Sequence, residues 1–469
     1  MAPGGAARGR VATTVDPRGD TGAHERPAPP VEPGAPPGRR RPDAALLVVW
    51  GMTALWAAVF SWLSMLRYRG FSTGRFDLGN MVQAVWSTSE GRFLETTDVS
   101  GIQFTRLGAH VDLILVLFVP LWAAWPSPEA LLVAQAVIVS LGALPAYWLG
   151  RRWLGDPRLA VAGAAVYLLF PALQSATLFD FHPVTLAAPL LLWCIWAAEE
   201  ARWLVLGVCA GLALITQEQV GLLLAALAVW LWFRHPGRRR AAAVLAVASL
   251  AWVAVAIGLI MPHFAIEGGN PHINRYSRLG EGPGEMLTTV LTRPWEAVAL
   301  LLTPGRVTYL VLLLAPLLLL PLAAPLLAAV AVPQLLINLF ASWGPAQSVQ
   351  YHYAVLLVPP LVAASLLGLA NLRARPPEDA LGRLASRTGL VAGLMVGAII
   401  LPGVWQGPLP LWGWVPGGWG GSPLHAFTVT EDARAIQGAV DLIPPGEPVS
   451  ATNDAGSHLS ARRRIHLFP

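Results

Sequence analysis

The stretch RFDLGNMVQAVW places Asp77 just beyond a long apolar run. A carboxylate there can act as general base toward an acceptor hydroxyl, or hold a cation. An aspartate ahead of an amphipathic run also suits a plain helix N-cap. In GAHVDLILVLFVPL, His110 and Asp112 enter a short apolar segment. Being two apart, they point to different faces of a helix and would not chelate one metal together. In FDFHPVT, Asp180 and His182 sit among Phe179, Phe181 and Pro183. A histidine beside a carboxylate can relay a proton, meet a phosphate when charged, or ligate a metal. The two groups also suit a simple turn in which they pair with each other.

Glu218 in TQEQ interrupts a long apolar stretch, and a carboxylate there needs a partner, water or a cavity. NPHINRYSRLG carries His272, Arg275, Tyr276 and Arg278, and SVQYHY carries Gln350, Tyr351, His352 and Tyr353. Clustered Arg with Tyr suits a phosphate-bearing headgroup, because guanidinium meets phosphate in a bidentate way. Looser attraction to anionic lipid is the simpler use of such a loop. No further ligands stand at metal-binding spacing, so neither a metal nor a cofactor is expected. No Walker, Rossmann, HExxH or nucleophile-elbow motif is present, which argues against ATP hydrolysis, nicotinamide chemistry and zinc proteolysis.

The elements that must position these groups are membrane helices. Of 469 residues, 55% are hydrophobic and 13% charged, with mean hydropathy +0.55. A soluble chain of this length needs more polar surface. The basic balance of +5 consists of Arg alone and gathers at the ends of apolar runs, so it orients helices rather than binding nucleic acid. Cys194 and Cys209 lie inside apolar runs as small fillers and make no disulfide framework.

Residues 1–42, rich in Pro, Gly and Arg, read as a disordered cytoplasmic tail. Runs of ~20 apolar residues span as helices, since lipid tolerates no unpaired backbone group. Candidate spans fall at 44–66, 129–150, 158–178, 183–198, 203–216, 219–233, 241–263, 306–322, 325–341, 352–371 and 388–404, about eleven crossings within a 43–404 helical domain. Arg39–Arg41, then Arg151, Arg152 and Arg158, then Arg234 and Arg238–Arg240, then Arg373, Arg375, Arg383 and Arg387 all fall inside if 111–125 does not cross. That segment, with Pro120 within it, reads as interfacial or re-entrant. The N-terminus is then cytoplasmic and the C-terminus extracytoplasmic. Segments 67–128 and 264–305 become outer loops. The stretch 405–469 becomes an outer tail with Trp405, Trp412, Trp414 and Trp419 at the headgroup level, followed by a helix, a Pro-Gly turn and a strand. It opens a small α/β unit that Pro469 leaves incomplete.

FDLGNMVQAVW, LGAHVDLILVLFVPLWAAWPSPEALLVAQAVIVSLGALPAYWLGRR, FDFHP and SATNDAGSHLSARRRIHLFP together resemble the DUF2079 family of predicted bacterial membrane proteins, from about residue 45 onward. That family is similar in layout to the GT-C glycosyltransferases, which carry an acidic residue on the first outer loop, a juxtamembrane helix, and a span ending in a basic pair. Asp77, the 111–125 segment and Arg151–Arg152 match in that order. The resemblance implies an all-α polytopic bundle that moves a sugar from a polyprenyl-phosphate donor to an acceptor outside the cytoplasmic membrane. Asp77 would be the acceptor-side base, and Arg275 or Arg278 would hold the donor phosphate. His110, Asp180, His182, Glu218 and His352 complete the expected substrate-binding set. Two departures stand out: Leu78 follows Asp77 where an acidic pair is common, and Thr216-Gln217-Glu218 stands where Thr-Lys is common. A transporter or lipid flippase would need mid-membrane polar helices and usually internal repeats, and no repeat is evident. A non-catalytic envelope protein is the third alternative.

Overall fold

The structure is a computed structural model that describes residues 43–266, 273–376, 378–409 and 424–468. These residues lie within the compact unit Asp43–Pro469. The tail 1–42, His272 and the tryptophans at 412, 414 and 419 lie outside the described residues.

The helices begin where the sequence offers a cap and a proline. Ser127 and Asp156 each accept a hydrogen bond from the backbone two residues on, at Glu129 and Arg158, and Pro128 and Pro157 open the helices they cap. Asp43 caps the first helix in the same way through the Ala45 N–H. Among the described residues, four helices are long and apolar enough to cross a membrane: Ala44–Arg69, Pro128–Leu154, Pro236–Phe264 and His352–Arg373. Two bent pairs raise this to six among the described residues if each counts as one span: Pro157–Leu169 with Pro171–Leu178 at 43°, and Pro294–Leu301 with Pro304–Leu317 at 64°. Pro171 explains the first bend. It has no N–H to continue the ladder, and it holds Phe170 in extended geometry at ψ 122.

Pro183–Glu199, Trp203–Leu214, Val220–Arg234, Pro325–Phe340 and Thr388–Val404 are apolar but shorter. The sequence-based count of about eleven therefore leans on helices below the ~20 residues of a full crossing. Leu113–Ala124, which falls in the segment expected at the interface, belongs to the same short class.

The layers differ in what surrounds them. The apolar window of His352–Arg373 is 89% buried, against 22% for Ala44–Arg69 and Pro236–Phe264. The first is a central pillar; the others present Leu47, Trp50, Leu55 and Trp62, or Val244, Val247 and Leu259, to their surroundings. Exposed apolar faces of this extent suit hydrocarbon rather than water.

Among the described residues strands are few and form two two-stranded sheets. Glu95–Thr97 pairs antiparallel with Gln103–Thr105, and Val449–Ala451 pairs parallel with Ile465–Leu467. The helix Glu431–Asp441, capped by Thr430, precedes the second pair. This C-terminal part packs on the loop after the first helix rather than standing apart: Gln83 Nε2 donates to the Arg462 and Arg463 carbonyls at 3.0 Å each.

Candidate active site at one end of the bundle

RFDLG folds as a π-turn, Arg75–Gly79, a widened helical turn that is frequent at functional sites. Asp77 makes no capping bond there, so the N-cap use is not what the residue does. Arg75 is fully buried and turns away from the cavity. Its Nη2 donates to the carbonyls of Thr97 at 2.6 Å and Ile465 at 2.9 Å, tying the π-turn to both small sheets. Gly79 carries no side chain because a Cβ there would stand 2.5 Å from Ser460 Oγ. Leu78 is fully buried among Leu115 and Phe181, so a second acidic residue at that position would be desolvated without a partner.

Asp180 and His182 do not pair with each other. Asp180 adopts φ +56, a left-handed conformation that Asp tolerates better than most residues. Its Oδ2 accepts from the backbone N–H of Gly74 at 2.7 Å and of Leu78 at 3.5 Å, bracketing Asp77. His182 reaches Asp77 itself, with Nε2 3.1 Å from Oδ1 and Nδ1 3.0 Å from the Phe179 carbonyl. A carbonyl can only accept, so Nδ1 carries hydrogen, and the Nε2 contact holds a proton between imidazole and carboxylate. Gln135 locks the turn from behind: its Nε2 donates to the Thr177 and Asp180 carbonyls at 3.0 and 2.7 Å, and its Oε1 accepts from the His182 N–H at 2.9 Å.

These contacts push the two carboxyls apart. Burial raises Asp77, but the His182 hydrogen bond and charge and the Arg106 cation outweigh it and hold it below the usual range. Burial, then the Asp77 charge, push Asp180 up to about 6. Asp77 keeps 34% of its side chain exposed, against 7% for His182. The accessible carboxylate is thus the one that stays ionised.

The second charge cluster comes from three other elements. His110 Nδ1 lies 2.9 Å from Glu218 Oε1, and Glu218 Oε2 accepts from the Val111 N–H at 3.1 Å. Burial opposes the Glu218 charge, yet His110 and these hydrogen bonds bring its pKa down to about 2. Asp112 turns the other way, to Arg106 at 2.5 Å. Gln217 joins the same histidine, with Nε2 2.9 Å from His110 Nδ1.

Two adjoining cavities join the clusters. The smaller, about 100 Å³, is lined by Asp77, Arg106, His110, Asp112 and His182. The larger, about 250 Å³, is lined by Glu218, Gln219, Arg275, Gln334, Asn338 and Trp343. His110, Val184, Gln217, His352 and Tyr353 form walls of both. The His352 ring stacks on His182 at 3.7 Å. Arg275 lies over Trp343, 4.7 Å from the ring centroid.

The structure therefore brings Asp77, His110, His182, Glu218, Arg275 and His352 to one end of the bundle. It does not bring Asp180 to a cavity wall; that residue acts on backbone behind Asp77. Arg278 is exposed and lines neither cavity. Among the described residues no group of three or more His, Cys, Asp or Glu is arranged to hold a metal. Sequence reading passed over Arg75, Arg106, Gln135, Gln334 and Asn338. Amides at 135, 334 and 338 inside apolar helices were the available signal, since polar groups there are costly to bury.

A polytopic helical bundle with its buried polar groups converging at one end is a membrane protein by fold. The chain belongs to the DUF2079 family, described as predicted membrane proteins, whose model matches residues 67–469. No curated protein matches it. Among solved structures it is similar to ArnT from Cupriavidus metallidurans bound to undecaprenyl phosphate, at 14% identity and TM-score 0.47, over 90% of this chain and 85% of that one.

Proposed function

We propose that this protein is a glycosyltransferase that moves a sugar from a polyprenyl-phosphate donor to an acceptor at the extracytoplasmic face of the cytoplasmic membrane. One observation carries the reading: an ionised, partly exposed Asp77 lines a cavity whose walls continue into a second cavity bearing Arg275. Transfer needs both parts. The acceptor oxygen forms a bond to the sugar's anomeric carbon and gives its proton to Asp77. The bond from that carbon to phosphate oxygen breaks, and the polyprenyl phosphate leaves with the electron pair. Arg275, held on Trp343, is the cation placed to balance that charge. His182 orients Asp77 through the contact between its Nε2 and Asp77 Oδ1.

Arg278, exposed and outside both cavities, is not part of this assignment. Asp180 enters it as the residue that fixes the Asp77 turn rather than as a substrate ligand. The test is turnover of lipid-linked sugar in membranes containing the wild-type chain or its Asp77→Asn form. Loss of a single positioned base costs about 10²–10⁴-fold in rate. Equal turnover by the two proteins would remove Asp77 from the role.

A further inference from the structure

We propose that the larger cavity is a saccharide subsite in which Gln334 Oε1 and His352 Nδ1 bond the hydroxyl groups of a single sugar ring. The inference rests on the transferase reading and names the part of the donor that this cavity holds.

It starts from a hydrogen-bond chain whose direction is fixed. Gln334 and Asn338 stand four apart on the helix Val332–Phe340 and so share a face. Asn338 lies 3.0 Å from the backbone carbonyl of Tyr353, which can only accept, so the Asn338 atom there is Nδ2. The same Nδ2 meets the Tyr309 hydroxyl at 2.9 Å. Asn338 Oδ1 therefore faces Gln334 at 2.8 Å, and the Gln334 atom opposite it must be the donor Nε2. Gln334 Oε1 is left as an acceptor with no partner among the described residues, on a side chain only 3% exposed. His352 Nδ1 is a second buried polar atom without a partner. Both residues line the larger cavity.

A buried acceptor without a partner is costly, and folded proteins rarely leave one unless something meets it. Both atoms belong to residues that line a cavity of about 250 Å³, and a hydroxyl can donate to Gln334 Oε1 and either donate to or accept from His352 Nδ1. Sites for drug-sized ligands run ~300–1,000 Å³, so this one fits a group about the size of one sugar ring. The other walls agree with that chemistry. Gln217 and Gln219 add amides, and Trp343 and Tyr353 add aromatic rings to the lining. Glu218 is already paired with His110, so the cavity has no free carboxylate demanding a charged sugar.

Binding to the purified full-length chain in detergent tests this with defined probes. They are a polyprenyl phosphate, its glucosyl, mannosyl and galactosyl esters, and the monodeoxy forms of whichever ester binds best. The expected result is a hexosyl ester that binds about tenfold or more tightly than the bare lipid, with one deoxy position losing most of that gain. In Gln334→Leu the same hydroxyl should cease to matter, while the bare lipid binds as before. If the bare lipid binds the wild type but no hexosyl ester gains over it, the subsite is overturned and the phosphate part of the transferase reading survives. If no probe binds, both fall together. The ligand series on the wild type decides even if Gln334→Leu does not fold.

Discussion

At the residue scale, the site consists of paired carboxyls with opposite tendencies. Asp180 is held at about 6 in the folded chain, above its ordinary value near 4. A carboxyl whose folded pKa is raised favours the native state most below the unfolded value. It loses that contribution as pH rises through about 6, on the order of 3 kcal/mol at most. Asp180→Asn has no such titration and retains an oxygen for the Gly74 N–H. We expect the wild-type unfolding midpoint to fall from pH 4 to pH 7 relative to that of Asp180→Asn. Parallel curves would mean that Asp180 is not the buried group that resists ionisation. Glu218 gives the opposite sign. Its pKa of about 2 means that its stabilisation is present above the unfolded value near 4.3 and is lost only as pH falls below it. Glu218→Gln should destabilise the chain at pH 7 by about 1–3 kcal/mol, and by progressively less below pH 4, as read by thermal unfolding in detergent.

At the element scale, the segment from Asn453 to Leu467 clasps the turn that bears Asp77. Asn453 Oδ1 accepts from the Phe76 N–H at 3.3 Å, and Ser457 Oγ meets Thr73 Oγ1 at 2.9 Å. The His458 ring is sandwiched between Tyr68 and Phe71 at 4.0 and 3.8 Å and donates to the Tyr68 carbonyl. Burial pulls the His458 pKa down to about 4, against smaller opposing effects of that carbonyl and of Asp441. A histidine depressed in the folded state contributes fully above its unfolded value near 6.5. That contribution is lost as pH falls from there to about 4. Hydrogen exchange of residues 453–467 should therefore speed up between pH 7 and pH 5, beyond the intrinsic pH dependence. In His458→Phe, which keeps the aromatic sandwich but cannot titrate, that excess should vanish.

This clasp also marks where sequence reading stopped. FDLGN and SHLSARRRIHLFP stood out as wording, and the helix, turn and strand of the tail were legible from the stretch TEDARAIQGAVDLIPPGEPVSATN with its Pro-Gly pair. That the two stretches touch was not legible, because the contacts join residues nearly 400 positions apart through backbone carbonyls that carry no side-chain signature. Helix positions were clear wherever an apolar run met a proline or an Arg pair. Which short helices cross was not, since composition alone cannot tell a short spanning helix from a buried core helix. Among the site residues, charges inside apolar surroundings announced themselves, whereas the fixed direction of the Gln334–Asn338 chain depends on a carbonyl that only the fold supplies.

At the scale of the whole molecule, the two ends of the bundle carry different chemistry, and that difference predicts orientation. The helices Pro128–Leu154, Pro183–Glu199 and Val220–Arg234 each begin near the Asp77 end and finish near an Arg cluster. At their far ends Glu199 accepts from Trp153 Nε1 and meets His235 Nε2, both at 2.9 Å, while Arg238 donates to the Ala198 and Glu199 carbonyls. Tyr147 donates to Asp43, which places the start of the first helix at that end too. Arg151, Arg152, Arg234 and Arg238–Arg240 thus gather opposite Asp77, and the positive-inside tendency predicts that their end faces the cytoplasm. Single cysteines provide the check, in a background where Cys194 and Cys209 are replaced by Ala. Asp98→Cys, in the loop beside the Asp77 turn, should react with a membrane-impermeant thiol reagent added to intact cells. Arg239→Cys should react only after the membrane is opened. The reverse pattern would put Asp77 in the cytoplasm and remove the extracytoplasmic acceptor from the proposed reaction. Because orientation is set by charges that touch neither cavity, the labelling result stands independently of whether Asp77 is a base.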